Sequence, residues 1–359
     1  MHLERHVATI RSDGNCTIYS PSFLPYNLYL EKADASDVET RMNNLANFQY
    51  WCASRILTLD RVHAKEILNS LGLKQAVTDR DRAAISLSYH CVCLTDVYWV
   101  REKGESIHFS QINLYQHSLS DAFVDVSLFG KQLTVLNLET LHPLDTAGDV
   151  ATAGVAPKAW IRKDGEFWLL KDGSSAEVQG ELLASKIISC FQLEQVAYIP
   201  LHFHGENVSA CRLITSPERS IVSAESVEIY AANHDTTLLQ LVLSHDPYGY
   251  HMMNIMDYLT GNTDRHWGNW GFWLDNRTNR LGKLHPLMDF NRAFTAYDTL
   301  EGGRCQTAPG NKSQLQAALE GVAAVGLNQT AEITPEWFTD SEKYDMVMKR
   351  LECLKAERS

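Results

Sequence analysis

The sequence predicts an α+β fold of two lobes, a small one built on mixed β structure and a larger, mainly helical one. Two stretches carry that expectation. In "PKAWIRKDGEFWLLKDG" two apolar-rich arms are joined by Asp164-Gly165, a dipeptide suited to the positive φ angles of a tight hairpin turn. In "PYGYHMMNIMDYLTGN" Met252, Ile255, Met256 and Leu259 fall on one helical stripe, and Gly261-Asn262 ends it. With 359 residues, 45% of them hydrophobic, the chain can bury one large core or two linked ones.

From the start of the chain, "DASDVETRMNNLANFQYWCASRILTL" places Val38, Met42, Leu45, Phe48 and Cys52 at helical spacing, with Ser36 and Glu39 as a capping box. "LDRVHAKEILNSLG" continues as a helix stopped by Gly72, and Thr78 caps another in "TDRDRAAISLSYH". "VCLTDVYWVRE", "ESIHFSQINLY" and "AFVDVSLFGKQLTVLNL" are rich in β-branched and aromatic residues, so Val92 to Leu138 is expected to mix short strands and loops. "HPLDTAGDVATAGVAP", from His142 to Pro157, is small and nearly without large apolar side chains, as a linker or a mobile functional loop would be. After the hairpin, "SSAEVQGELLASKIISCFQLEQVAYIP" is a helical run carrying Leu182, Leu183, Ile187 and Ile188. "WGFWLDN" and "RLGKLHPLMDF" read as two arms joined by the turn "NRTN". "SQLQAALEGVAAV" and "DSEKYDMVMKRLECLK" close the chain as helices.

Composition excludes several classes. No run approaches the roughly 18 to 20 apolar residues of a membrane span, and "MHLERHVATIRSDGN" lacks the apolar core of a signal peptide, so a cytoplasmic location is expected. The eight cysteines are scattered without a CxxC pair, as reduced and mostly buried thiols are. A net charge of -12 without a Lys/Arg block argues against direct nucleic-acid binding. His90, Cys91 and Cys93 lack a fourth metal ligand at plausible spacing, and His202 and His204 alternate like an exposed strand face. There is no G-x-S-x-G or Ser-His-Asp order of a hydrolase.

Three features in order carry chemistry. A loop of small residues can cradle phosphates with its backbone N–H groups, and a lysine held by a carboxylate can contact phosphate oxygens; here the small-residue stretch is followed by Lys171 at a strand end and Glu181 in the next helix. Taken alone this signal is commonplace. Downstream, "NTDRHWGN" sets Asp264 and Asn269 five positions apart, the spacing of kinase catalytic loops in which the aspartate orients the attacking hydroxyl and the asparagine ligates magnesium. The final hairpin is expected to bring Asp289 beside Asn269, giving magnesium two hard oxygen ligands. An isolated cluster of this kind is ordinarily a polar turn. The upstream loop, lysine and glutamate favour the catalytic reading, with His266 orienting the segment and Asp264 the better placed base.

"GNTDRHWGNWGF" followed by "LHPLMDF" resembles the HipA-like serine/threonine protein kinases, and "TAGVAPK", "WLLK" and "GELLASKI" resemble that family's small-residue loop, ATP-lysine strand and glutamate-bearing helix. The resemblance runs from about Leu144 to the C-terminus, with its clear motifs between Gly154 and Asp289. It implies a bilobal, protein-kinase-like fold: residues 1–141 as a helical and α/β region packed on or part of the N-lobe, 142–214 as the nucleotide-binding N-lobe, 215–359 as the mainly helical C-lobe. It implies ATP and Mg²⁺ as cofactors and a serine or threonine of a protein as acceptor. Gly154 and Lys158 would belong to the loop over the phosphates, Lys171 would contact them, and Glu181 would hold Lys171. Ala210, Cys211, Arg212 and Leu213 would form the adenine hinge, with Asp264 and His266 catalytic and Asn269 and Asp289 on the metal. Residues before about His90 do not resemble the compact β-rich subdomain of the antitoxin-partnered toxins, so antitoxin binding is not implied; a regulatory protein on the N-terminal helices is the partner expected besides the substrate. Thr146 and Thr152 stand where an inhibitory autophosphorylation is expected. A nucleotide-binding pseudokinase scaffold, or a kinase of a small-molecule or lipid hydroxyl, is the alternative.

Overall fold

In the computed structural model, which describes residues 1–73, 78–131, 143–152, 154–295 and 297–356, the chain forms an α+β fold with three antiparallel sheets. The first is the short pair β1 (Ala8–Ile10) and β2 (Cys16–Ile18). The helix α1 (Val38–Ala53) follows, but its cap is Asp37, whose carboxylate accepts from Thr40 N at 3.0 Å, and not the expected Ser36 box. The expected apolar stripe also fails at its first half: Val38 and Met42 are 57% and 61% exposed. There the helix is held by an amide, since Asn44 is buried and donates to Gly14 O at 3.1 Å and Glu31 O at 2.8 Å; Trp51, Cys52 and Ala53 are buried in the core and the half-buried Phe48 packs against it. Of the next two helices the first is shorter than expected, starting at Ala64 rather than Leu59 because His63 has a φ of +67°, and the second comes where the sequence puts it. α2 (Ala64–Ser70) is followed by Gly72 at a φ of +64°, and α3 (Asp79–Ser88) has the full Thr78–Asp81 capping box.

The stretch from Val92 corrects the expectation of strands. Its regular elements among the described residues are the short helix α4 (Phe109–Ile112) and α5 (Asp121–Phe129); residues 132–138 lie outside the described part. β-Branched content misleads because α5 buries opposite sides in two clusters: Phe123 and Val126 pack with Trp160 and Phe167, while Val124 and Leu128 pack with Ala159, Leu170 and Ala210. Tertiary packing overrides the weak local preference. The expected linker or loop is likewise partly helical, α6 (Pro143–Val150), with Ala147 and Val150 in the core. Thr146 is fully buried, and the Thr152 hydroxyl donates to Gly148 O at 2.5 Å and accepts from Trp160 Nε1 at 2.8 Å. A phosphate on Thr146 would require α6 to open, whereas Thr152 lies beyond the end of α6, half-buried on the lining of the large cavity.

Asp164 and Gly165, at φ of 55° and 83°, turn β3 (Lys158–Lys163) back into β4 (Glu166–Lys171), as the sequence predicts. α7 (Ser175–Ile188) starts at a Ser174–Glu177 capping box. β5 (Ile199–Phe203) and β6 (Glu206–Arg212) then complete a four-stranded sheet of order β3-β4-β6-β5. The turn between β5 and β6 uses His204 and Gly205 at positive φ, and His202 stands exposed on β5. β7 (Arg219–Ser223) leads into α8 (Ala224–Ala232), α9 (Leu238–His245) and α10 (Pro247–Thr260). Met252, Ile255, Met256 and Leu259 of α10 are all fully buried, and Gly261 ends it at a φ of 59°. The hairpin β8 (Gly271–Asp275) and β9 (Arg280–Leu284) pairs with β7 as a third sheet, and α11 (Gln314–Val325) and α12 (Ser341–Ala356) pack against α10. All eight cysteines are unpaired. No helix among the described residues is long and apolar enough to cross a membrane.

Candidate active site

The antiparallel register of β3 and β4 sets Lys158 directly opposite Lys171, on the same face of the sheet. Two ammonium groups facing each other repel unless carboxylates intervene. Glu181, from the second turn of α7, receives Lys171 Nζ on Oε1 at 2.7 Å and Ser209 Oγ on Oε2 at 2.5 Å. Asp289 receives the same Nζ on Oδ1 at 3.1 Å. Burial would lower the Lys171 pKa, but Asp289 and then Glu181 outweigh it and raise it well above the ordinary lysine value. Burial would raise Asp289, yet Lys171 and Lys158 hold it down to about 2. Lys171→Met should therefore destabilise the fold by about 3 kcal/mol or more, because it leaves a buried carboxylate without its counter-ion. Unfolding in denaturant measures this, and Lys171→Met/Glu181→Gln should recover part of the loss.

Tyr198 completes the cluster. Its hydroxyl accepts from Asp289 N at 3.1 Å and from Lys171 Nζ at 3.4 Å, and its ring lies 4.9 Å below the ammonium. It fixes Asp289 at a φ of +63°, a left-handed conformation that costs a non-glycine residue about 1 kcal/mol and gathers at functional sites. Gly154 has a φ of +99°, and a Cβ there would meet Lys158 Nζ at 2.5 Å, so the missing side chain lets the lysine lie against the loop backbone. That loop is held by Arg61, which donates to Asp149 O at 2.8 Å, Thr152 O at 3.1 Å and Lys158 O at 2.5 Å.

Residues 262–269 leave α10 as an irregular segment locked from beneath. Arg265 is buried; its Nε donates to Asp257 Oδ2 at 3.0 Å and its Nη1 to Asn269 O at 2.8 Å and Met288 O at 2.5 Å. One guanidinium thus ties α10, the segment and the chain before Asp289 together. Asn262 is buried and receives Asp264 N at 3.3 Å. Asn269 Nδ2 donates to Asp264 O at 2.8 Å, and His266 Nδ1 accepts from Gly268 N at 3.0 Å, which folds the segment on itself.

A cavity of about 1080 Å³ receives Gly154, Lys158, Lys171, Asp264, Asn269 and Asp289 along its lining, together with His266, Cys211, Arg212 and Leu213. Glu181 acts from behind Lys171. Ala210 is a correction: it is fully buried on the other face of the sheet, against α5, because alternate strand residues point to opposite faces. Ile214 and Thr215 line the cavity beyond Leu213 instead. Sequence reasoning also missed Tyr198, Arg61, Arg265 and the N-terminal wall, where Tyr50, Trp51 and Arg55 line the same cavity. Apart from Arg265, which lies within "NTDRHWGN", none of these residues belongs to a spaced motif.

The donor set fits magnesium. With Nδ2 of Asn269 engaged, its Oδ1 is the remaining ligand atom, and Asp289 Oδ2 stands beside the oxygen that Lys171 holds. Asn291 also lines the cavity, and its buried Oδ1 has no hydrogen-bond partner among the described residues. No group of three or more His, Cys, Asp or Glu among the described residues forms a cage by itself, so phosphate and water would have to complete the shell, as is usual for magnesium.

Asp149 of α6 supplies a pH test of the loop anchor. Its carboxylate accepts from Trp160 N at 2.9 Å, but burial outweighs that bond and the nearby Arg61 and pushes its pKa up to about 7. The folded state then binds a proton more tightly than the unfolded one, so stability from this group is present below pH 4 and is lost as pH rises toward 7. Asp149→Asn should raise stability at pH 8 by on the order of 1 to 3 kcal/mol and change it little at pH 4. Chemical denaturation at the two pH values measures the difference; an equal effect at both would refute the assignment.

No family model matches the sequence, and neither does any curated protein. Among solved structures the chain is similar to the proinflammatory kinase CtkA of Helicobacter pylori, at 15% identity and a TM-score of 0.43 over 56% of this chain and 90% of that one. It is also similar to a Shewanella oneidensis structure of the toxin–antitoxin system HipA, HipB and its operator DNA, at 13% identity and a TM-score of 0.46 over 87% of this chain and 85% of that one.

Proposed function

We propose that the chain is an ATP-dependent kinase of the HipA-like type that transfers a γ-phosphoryl group to a serine or threonine hydroxyl of a protein. The observation that supports it is a juxtaposition: Lys171, paired with Glu181 and Asp289, shares one cavity with Asp264 and Asn269. Lys171, oriented by Glu181, donates to phosphate oxygens. Asp264 orients the acceptor hydroxyl and takes its proton as the new O–P bond forms and the bond to the departing nucleotide breaks. Magnesium, held by Asn269 and Asp289, would neutralise charge on the phosphates. The N-terminal helices wall the same cavity, so a regulatory protein seated on them would act on the site directly. A net charge of -12 disfavours nucleic acid as a partner, and the reading places the protein in the cytoplasm.

Incubation with radiolabelled ATP, followed by separation of protein, lipid and metabolite pools, tests this. Label in protein is the expected result. Label confined to lipid or metabolite would replace the acceptor class, and nucleotide binding without transfer to any pool would make the chain a nucleotide-binding scaffold. Asn269→Ala and Asp289→Ala should each raise the magnesium concentration for half-maximal turnover, Asp289→Ala more because it removes the charged ligand. An unchanged magnesium dependence in both would remove them from the metal.

A further inference from the structure

The hairpin of β8 and β9 carries Asn269 two residues before its first strand and Asp289 five residues after its second. At that end Arg265 holds the carbonyls of Asn269 and Met288. The other end is the turn of residues 276–279, and its bonds run to a distant part of the chain. Asn279 Nδ2 donates to Ser22 O at 2.9 Å and Leu24 O at 3.2 Å, its Oδ1 accepts from the Tyr98 hydroxyl at 2.7 Å, and its carbonyl accepts from the Tyr26 hydroxyl at 3.2 Å. Its own N–H closes the turn on Asp275 O at 2.7 Å. The side-chain amide and both backbone groups are thus fully engaged. A turn residue ordinarily faces water, yet Asn279 is only 5% exposed. Its φ of +57° lies in the left-handed region that asparagine adopts more readily than most side chains.

Leu274 and Leu281, one on each side of the turn, pack in one apolar cluster with Leu28, Leu30 and Trp51, so the N-terminal region grips the hairpin tip by side chains as well as by hydrogen bonds. The grip matters because the hairpin is irregular nearer the site. Phe272 lies opposite Leu284 and Leu274 opposite Leu281, so β9 has one residue more than β8 between these pairs. Such a bulge interrupts the ladder, and a slip of one residue there would turn the side chains beyond it to the other face. On the site side the pairing resumes with His285 N donating to Gly271 O at 3.0 Å. With Asp275 and Asn279 bonded to each other, and Asn279 bonded to residues 22, 24, 26 and 98, β9 enters the bulge in one register.

We propose that Asn279 is a positioning residue: through it the N-terminal region fixes the register of β8 and β9, and with it the placement of Asp289 relative to Asn269. The consequence for a bound metal rests on the kinase reading given above, whereas the fixing of the hairpin does not. Tyr26 and Tyr98, the two hydroxyl donors to Asn279, also line the large cavity, so the same bonds join the hairpin tip to the cavity's N-terminal wall.

The test uses the full chain with two variants. Asn279→Gly keeps the left-handed backbone and the bond to Asp275 while removing the side-chain bonds. Tyr98→Phe removes one of those bonds from the opposite side and leaves the hairpin's own sequence intact. Amide hydrogen exchange should speed by about tenfold in β8, β9 and at His285 in Asn279→Gly, by less in Tyr98→Phe, and stay at the parental rate in β3 and β4. Equal acceleration in both sheets, or none in β8 and β9, would overturn the positioning role. Manganese taken up with a non-hydrolysable ATP analogue, followed by the paramagnetic resonance of the free ion, should bind about three- to tenfold more weakly in Asn279→Gly. Parental manganese affinity beside a loosened hairpin would overturn the link to Asn269 and Asp289. A parent chain that takes up no manganese with the nucleotide would overturn the kinase reading instead, and the exchange rates would still decide whether Asn279 fixes the hairpin.

Discussion

Under the proposed function, Asp264→Asn is expected to lower phosphoryl transfer by about 10²-fold or more while leaving the thermal stabilisation by Mg-ATP at its parental value. The segment's own hydrogen bonds run through the backbone of Asp264: its N–H donates to Asn262 Oδ1 and its carbonyl accepts from Asn269 Nδ2. A nearly isosteric side chain keeps both, so the scaffold of the segment survives the change. What goes is the carboxylate proposed to accept a proton from the attacking hydroxyl. Single-turnover transfer beside an ATP-dependent melting shift separates these effects. Transfer at the parental rate would return "NTDRHWGN" to the status of a polar turn.

Arg265→Ala is expected to cost about 3 to 5 kcal/mol of stability, the range for breaking a buried ion pair from one side. Asp257, itself buried, would lose its counter-ion, and the carbonyls of Asn269 and Met288 would lose their donor at once. Arg265→Lys should recover little, since a single ammonium cannot reach a carboxylate and two carbonyls in three directions. Activity should fall further than stability accounts for, because the same guanidinium sets the spacing between Asn269 and Asp289. Denaturant midpoints together with turnover under conditions where each variant is folded decide this. A loss below about 0.5 kcal/mol, the scatter of ordinary surface changes, would contradict the clamp.

That Lys171, Glu181, Asp264, Asn269 and Asp289 gather around one cavity was legible because each sits in a short stretch whose spacing has a chemical reason. Their supports were not. Arg61 acts on a carbonyl 97 residues away, and Tyr198 reaches Asp289 across 91. Contacts at such separations leave no local pattern, and both residues occur in unremarkable surroundings. Arg265 stood inside the quoted motif, yet its burial depends on Asp257 lying one helical turn before the end of α10, which only the fold makes visible. The hairpins of β3–β4 and β8–β9 were legible from turn chemistry and alternation. α5 was not, because a helix buried on two sides has the composition of a strand. Ala210 fell outside the cavity for a related reason: neighbouring strand residues point to opposite faces, so its side chain packs against α5 while Cys211 lines the cavity.

The bonds from Arg61, with those of Leu57 N to Val150 O at 2.7 Å and Val62 N to Val155 O at 2.9 Å, sew the segment after α1 to both ends of the small-residue stretch. A loop of small residues is usually imagined as a free flap whose stiffness is its own. Here its stiffness is borrowed, and the compliance of the Gly154 region is set by how firmly the helices α1 and α2 are seated. A force, a bound protein or a substitution that displaces those helices is therefore transmitted to Lys158 without crossing residues 210–213 or the helices that follow them. The N-terminal region becomes a lever on the loop.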